Sequence, residues 1–147
     1  MLFKDFGLSK EFLAGIGALL YETPTEVQKE VIPQVLLGKD LIVQAQTGTG
    51  KTSAYGIPVV ERVTPKVRGV QALILVPTRE LALQVSEELK SLGKFKRLFV
   101  LTIYGGKPLQ RQIDFLKKGL NNIVVGTLGR VKDLLNKGYL NYTRLII

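Results

Sequence analysis

Residues 45 to 52 read Ala45-Gln46-Thr47-Gly48-Thr49-Gly50-Lys51-Thr52, and the chemistry they suit is the holding of phosphate. They follow an apolar run, Leu41-Ile42-Val43, and precede a segment of helical character. A strand, a glycine-rich turn and a helix start gather free backbone N–H groups at one point, and the helix dipole favours negative charge there. Gly48 and Gly50 can take φ > 0 and bring the main chain close to a ligand; Thr47 and Thr49 belong to the same turn. Lys51 can reach β- and γ-phosphates, and the Thr52 hydroxyl can hold Mg²⁺. The strict pattern opens with glycine where this chain has Ala45. A plain strand-to-helix turn has no use for a lysine and a threonine after its second glycine.

Four further clusters could touch a ligand, and each also has a purely structural explanation. In Pro77-Thr78-Arg79-Glu80-Leu81 the proline stops a strand, Thr78 can cap a helix and Arg79 lies in its first turn. The same placement suits a backbone phosphate. Gly105-Gly106 can bring N–H groups against a nucleic-acid strand or can form a flexible turn. Thr127-Leu128-Gly129-Arg130 offers a hydroxyl, a close-approach glycine and a cation at a helix start. In Pro24-Thr25-Glu26-Val27-Gln28 the glutamine amide can pair with N6 and N7 of adenine, although a glutamine early in a helix is commonly a surface residue.

These clusters need elements to position them, and strand and helix signals alternate along the chain. Strands are expected at Leu41–Ala45, Gln71–Val76, Leu98–Tyr104, Asn122–Thr127 and Arg144–Ile147, all apolar on both faces as buried parallel strands are. Helices are expected at Ser9–Leu20, Thr25–Leu36, Thr52–Arg62, Arg79–Leu92, Leu109–Lys118 and Arg130–Asn136. Pro33 should kink or break the second of these. The alternation predicts an α/β fold with a parallel sheet, whose ligands sit beyond the carboxyl ends of the strands.

Composition narrows the chemistry. The 147 residues contain neither cysteine nor histidine, which excludes disulfides, Cys/His metal sites and histidine acid–base catalysis. Lack of cysteine fits a reducing compartment, and a cytoplasmic location is expected. The formal charge of +9 is unevenly placed: residues 1–89 hold 9 Lys/Arg and 10 Asp/Glu, whereas residues 90–147 hold 12 and 2. That asymmetry suggests a polyanion partner or a solvated basic face. Phe12–Leu20 has the apolar character of a signal-peptide core, but Asp5, Glu11 and Glu22 around it argue for an ordinary buried helix capped by Ser9. No run approaches the roughly 18 apolar residues of a membrane span.

Taken together, the clusters resemble, in order and spacing, the first RecA-like domain of the DEAD-box RNA helicases, over nearly the whole chain. Phe3 matches the upstream aromatic that stacks on adenine in that family. Tyr21 to Gln28 match its Q motif, with Gln28 as adenine reader. Ala45 to Thr52 match motif I, where the family normally has alanine first. Pro77 to Leu81 match motif Ia, Gly105-Gly106 the GG motif and Thr127 to Arg130 motif Ib. The resemblance implies a RecA-like P-loop NTPase sheet flanked by helices, ATP and Mg²⁺ as cofactors, and single-stranded or duplex RNA as partner. It implies RNA contacts from Pro77, Thr78, Arg79, Gly105, Gly106, Thr127, Gly129 and Arg130, and nucleotide contacts from Phe3, Tyr21, Gln28 and Thr47 to Thr52. Residues 1–147 would form a single, partial ATP-binding domain, with residues 1–37 as its helical lead-in.

Three positions depart from the family pattern. Leu20 stands where glycine is usual, so the turn before Tyr21 is expected to tighten or change shape. Glu26 replaces a small residue or proline, and Leu128 replaces the proline of motif Ib, which could loosen Thr127 and Arg130. The run Arg144-Leu145-Ile146-Ile147 leads, in the family, into the Asp-Glu-Ala-Asp motif that orients Mg²⁺ and activates water. The sheet is therefore expected to be incomplete at its C-terminal end. The 147 residues alone are expected to be inactive, with a second RecA-like domain supplied by the parent chain. Two other readings stand beside the helicase: a non-hydrolysing nucleotide- or RNA-binding fragment, and a P-loop helicase acting on DNA.

Overall fold

The computed structural model describes residues 1–147. A short 3₁₀ turn, Phe3–Phe6, leads into helices α1 (Lys10–Ala18), α2 (Glu26–Leu36) and α3 (Lys51–Arg62). Strands and helices then alternate as β1 (Ala72–Val76), α4 (Arg79–Gly93), β2 (Val100–Ile103), α5 (Leu109–Lys117), β3 (Ile123–Thr127) and α6 (Leu128–Asn136). The strands form one parallel sheet in the order β1-β3-β2, with Ala72 and Val100 both opposite Ile123. No helix is long and apolar enough to cross a membrane.

The two-residue period of β3 explains the layering. Ile123 and Val125 enter the larger core with Phe12, Ile32, Ile57, Val60 and Leu89, drawn from α1 to α4. Val124 faces the other way, among Ile103, Ile113, Val131 and Leu134, which α5 and α6 help to supply. Gly126 is required where it stands: a Cβ there would lie 2.5 Å from Val131 Cγ2 and 2.9 Å from the Ile103 carbonyl. Because all three strands run the same way, the loops after β1, β2 and β3 emerge side by side at one edge of the sheet.

Two expected strands do not form. Leu41–Ala45 has no ladder partner, and Ile42 is fully exposed. An apolar run signals a demand for burial but cannot supply the neighbour that meets it. Arg144–Ile147 comes closer: Ile146 N–H donates to the Gln71 carbonyl at 2.8 Å and the Ile147 carbonyl accepts from Leu73 N–H at 3.2 Å. A parallel ladder needs one residue to make both bonds, so this segment lies along β1 without completing a strand. Between the two runs is a cavity of about 560 Å³, lined by Leu41 and Val43 on one side and Leu73, Leu75, Ile146 and Ile147 on the other. Helix α2 continues through Pro33 without a break, since proline near a helix end removes one bond and leaves the rest of the ladder intact.

Candidate functional site

The phosphate loop ends at Gly50, whose left-handed backbone (φ +81°, ψ +29°) starts α3 without any side-chain cap. Ala54 N–H is bonded to the Gly50 carbonyl, so the N–H groups of Lys51, Thr52 and Ser53 have no partner within the helix and point out of its end. Three free donors at a helix N-terminus, with a lysine among them, fit a phosphate. Lys51 Nζ donates to the Ala45 carbonyl at 2.6 Å, spanning the loop from its last residue to its first. Thr49 Oγ1 donates to the Gln46 carbonyl at 2.7 Å. Gly48 also has positive φ, +77°, with open space where a Cβ would sit. Thr52 lies half-buried in the first turn of α3, and its hydroxyl is the kind of oxygen donor that Mg²⁺ accepts.

The lead-in grips this loop. Thr25 caps α2 by accepting from Gln28 N–H, and Gln28 Oε1 accepts from Thr25 N–H at 3.0 Å, a reciprocal capping box. Both side chains then reach across to the loop: Thr25 Oγ1 donates to the Thr49 carbonyl at 2.9 Å, and Gln28 Nε2 to the Gly50 carbonyl at 3.3 Å. Gln28 is 3% exposed. Its amide still has one N–H and one carbonyl lone pair uncommitted, the complement of adenine's N7 and N6.

Tyr21 is placed by the end of α1. Leu20 N–H donates to the Gly17 carbonyl and Tyr21 N–H to the Ile16 carbonyl, with Leu20 left-handed at φ +60°. This is a Schellman stop with leucine in the glycine position. The turn keeps the glycine geometry, where a tighter or altered one was expected. From there Tyr21 Oη meets Ser53 Oγ at 2.9 Å, and Ser53 Oγ donates to the Glu88 carboxylate on α4. Since the single serine proton goes to Glu88, Tyr21 is the donor in the first bond. Burial pushes the nearby Tyr55 phenol above its ordinary value, with the Thr52 hydroxyl opposing that rise and the charge of Glu88 adding to it. Phe3 is 4% exposed, with its ring edge-on to Tyr21 at 5.9 Å and to Phe6 at 6.0 Å. Its faces are packed into the core, so it offers no open stacking surface.

The second constellation lies at the three strand ends. Thr78 caps α4, its Oγ1 accepting from Leu81 N–H at 3.2 Å, and Pro77 beside it is exposed. Arg79 places its guanidinium over the Tyr104 ring, 5.0 Å from the centroid. Its Nη1 comes to within 3.4 Å of where a Cβ on Gly106 would sit, which brings motif Ia against the Gly105-Gly106 turn. Arg130 Nη1 donates to the Lys107 carbonyl at 3.2 Å and to Gln112 Oε1 at 3.1 Å, and Gln112 Nε2 donates to the Tyr104 carbonyl at 3.1 Å. Thr127 starts α6 with its hydroxyl uncommitted, and Gly129 is exposed. Leu128 occupies the first helical position, where proline would also be accepted, and Arg130 is held by its own bonds despite the substitution. Glu26 is ion-paired with Lys29 on the exposed side of α2.

Sequence reasoning missed Tyr104 and Gln112. Together they support Arg79, Arg130 and the glycine turn, yet one reads as the end of a strand and the other as an ordinary helix residue. Ser53 and Glu88 were missed for the same reason, because their significance lies in a contact and not in a pattern.

A glycine-rich loop leading into a helix, beside a parallel sheet with helices on both faces, fits a RecA-like P-loop domain. Comparison makes this more specific. A family model of DEAD/DEAH box helicases matches residues 25–147, and the chain belongs to that family. It is 52% identical over 138 residues to the DEAD-box ATP-dependent RNA helicase CshA of Geobacillus kaustophilus, covering 94% of this chain and 29% of that protein. With CshA of Bacillus subtilis it shares 51% over 135 residues, covering 92% and 27%. The chain thus spans less than a third of the length of these relatives. Among solved structures it is similar to a DEAD box protein from the hyperthermophile Methanococcus jannaschii, with a TM-score of 0.91, 44% identity, and coverage of 99% of this chain and 39% of that one. It is also similar to S. cerevisiae Dbp5 bound to RNA and ADP BeF3, with a TM-score of 0.86, 31% identity and coverage of 98% and 36%.

Proposed function

We propose that the protein carrying this chain is an ATP-dependent RNA helicase, in which residues 1–147 are part of the first RecA-like domain and supply the nucleotide-binding loop and half of the RNA track. The observation that carries the reading is the pair of bonds from Thr25 and Gln28 to the Thr49 and Gly50 carbonyls. They join an adenine-reading amide to a phosphate cradle, so one ligand with both parts would span them. In this reading Lys51 and the free N–H groups of α3 hold the phosphates, and the Thr52 hydroxyl holds Mg²⁺. Mg²⁺ held there would supply neutralisation of phosphate charge. Tyr21 positions the lead-in through Ser53. Phe3 serves adenine through Tyr21, its own faces being buried. Arg79, Arg130, Thr78, Thr127 and the main chain at Gly105, Gly106 and Gly129 contact the RNA backbone, with no demand for base sequence. The second RecA-like domain and the water-activating carboxylates belong to the parent protein, whose expected location is the cytoplasm.

The test is RNA-stimulated ATP hydrolysis by the intact protein, with calorimetric binding of ATP and GTP. Stimulation by RNA, a preference for ATP and loss of binding in Lys51→Ala are expected. Equal affinity for ATP and GTP would remove the role given to Gln28, and hydrolysis stimulated by DNA but not RNA would remove the partner.

A further inference from the structure

We propose that the free edge of β2 is a docking site for an extended acidic segment of a partner protein, which adds to the sheet as a further strand. β2 is an outer strand of the sheet. The Phe99 carbonyl accepts from Ile123 N–H at 3.1 Å, so Phe99, Leu101 and Ile103 turn their main-chain groups toward β3. Val100 and Thr102, in alternation, present N–H and C=O to the outside.

Around this edge runs a cavity of about 560 Å³, walled by α4 on one side and α5 on the other. Four large apolar side chains open into it: Phe99 is 58% exposed, Leu120 52%, Phe115 43% and Leu83 41%. Its rim carries Lys90, Lys107, Arg111 and Lys118, and no carboxylate lines it. Lys90 is ion-paired with Glu87 at 3.2 Å, which leaves the other three without a carboxylate partner.

An unpaired strand edge selects a polypeptide, alternating pockets select alternate apolar side chains, and the cations select acids between them. Single-stranded RNA fits less well. Its phosphates would meet the outward carbonyls of Val100 and Thr102 as well as the N–H groups. The face of Phe115, which a base would need, is covered by Lys118, whose Nζ lies 5.2 Å from the ring centroid. The site stands apart from the nucleotide loop; it adjoins the strand-end constellation, with which it shares Tyr104, Lys107 and Gln112, and its argument does not use the helicase reading.

The probe is a capped seven-residue peptide alternating glutamate with valine, fluorescently labelled and titrated with the intact protein at low salt. Binding is expected, and a peptide with lysine in place of glutamate should not bind. Val100→Pro removes one outward N–H at the first residue of an edge strand, a position that tolerates proline, and should weaken binding about tenfold or more. N-methylating the peptide at alternate residues removes its main-chain donors without altering the protein and should have the same effect. Arg111→Glu with Lys118→Glu should weaken binding by about tenfold. Absence of binding, or binding indifferent to both Val100→Pro and N-methylation, overturns the proposal. So does a ten-residue uridine RNA that competes with the peptide and loses affinity in Phe99→Ala, since RNA would then be the occupant.

Discussion

Replacing Gly50 or Gly48 by alanine separates the strain of the loop from its connection to the lead-in. Both glycines are left-handed, at φ +81° and +77°, and an L-residue held there costs about 1–2 kcal/mol. The loss of glycine's freedom in the unfolded chain offsets part of that equally in both variants. At Gly48 nothing more is required, because its Cβ meets open space. At Gly50 the new Cβ would lie 2.5 Å from Gln28 Nε2 and 3.4 Å from Thr25 Oγ1. The amide must swing away, and its bond to the Gly50 carbonyl is lost, adding about 1 kcal/mol. Gly50→Ala is therefore expected to be less stable than Gly48→Ala by about 1 kcal/mol in urea denaturation. In a Gln28→Ala background that difference should vanish, the two sites being directly coupled. Nucleotide binding gives a second reading. Gly48→Ala should weaken ATP and GTP alike, whereas Gly50→Ala displaces Gln28, the proposed adenine reader, and should erase a preference of about 1–3 kcal/mol. Equal stability of the two variants, together with equal ATP/GTP ratios, would refute the reasoning.

Other expectations are as direct. Leu20→Gly relieves a left-handed, 83% exposed leucine and should raise stability by about 0.5–1 kcal/mol in thermal or chemical denaturation. Lys96 Nζ donates to the carbonyls of Val60, Glu61 and Val63 at 2.7, 2.6 and 2.9 Å, so Lys96→Met should destabilise by about 2 kcal/mol, seen as a lower urea midpoint. Arg79→Ala and Arg130→Ala should each flatten the log–log salt dependence of RNA binding by roughly one unit, measured by fluorescence polarisation. Residues 1–147 expressed by themselves should associate, because Leu41, Ile42 and Val43 are all exposed; monodisperse light scattering would contradict this.

The three strands that form were legible because each apolar run sits between helices that cover it. Leu41-Ile42-Val43 carries the same signal and forms no strand, since pattern reports what a segment would bury and not whether a partner is beside it. Helix ends were read to within about two residues, with α6 starting at Leu128 where Arg130 was expected. The motif residues were legible singly. That Thr25 and Gln28 hold the Thr49 and Gly50 carbonyls was not, because no local periodicity encodes a contact between segments so far apart in the chain. Phe3 received its stacking role from resemblance alone, and its burial in an apolar cluster with Phe6 and Tyr21 was not legible from residue type.

The bond from Lys51 to the Ala45 carbonyl makes the loop its own first occupant. A nucleotide that recruits this ammonium must break a contact that already exists, so its affinity reflects an exchange of acceptors and not the filling of a void. A ligand whose phosphates stop short of the lysine would leave the bond intact and gain nothing from it. A triphosphate would capture the ammonium and release the carbonyl to water. The loop would in this way tell a ligand that reaches Lys51 from one that does not, with the Ala45 carbonyl as the competitor that such a ligand displaces once.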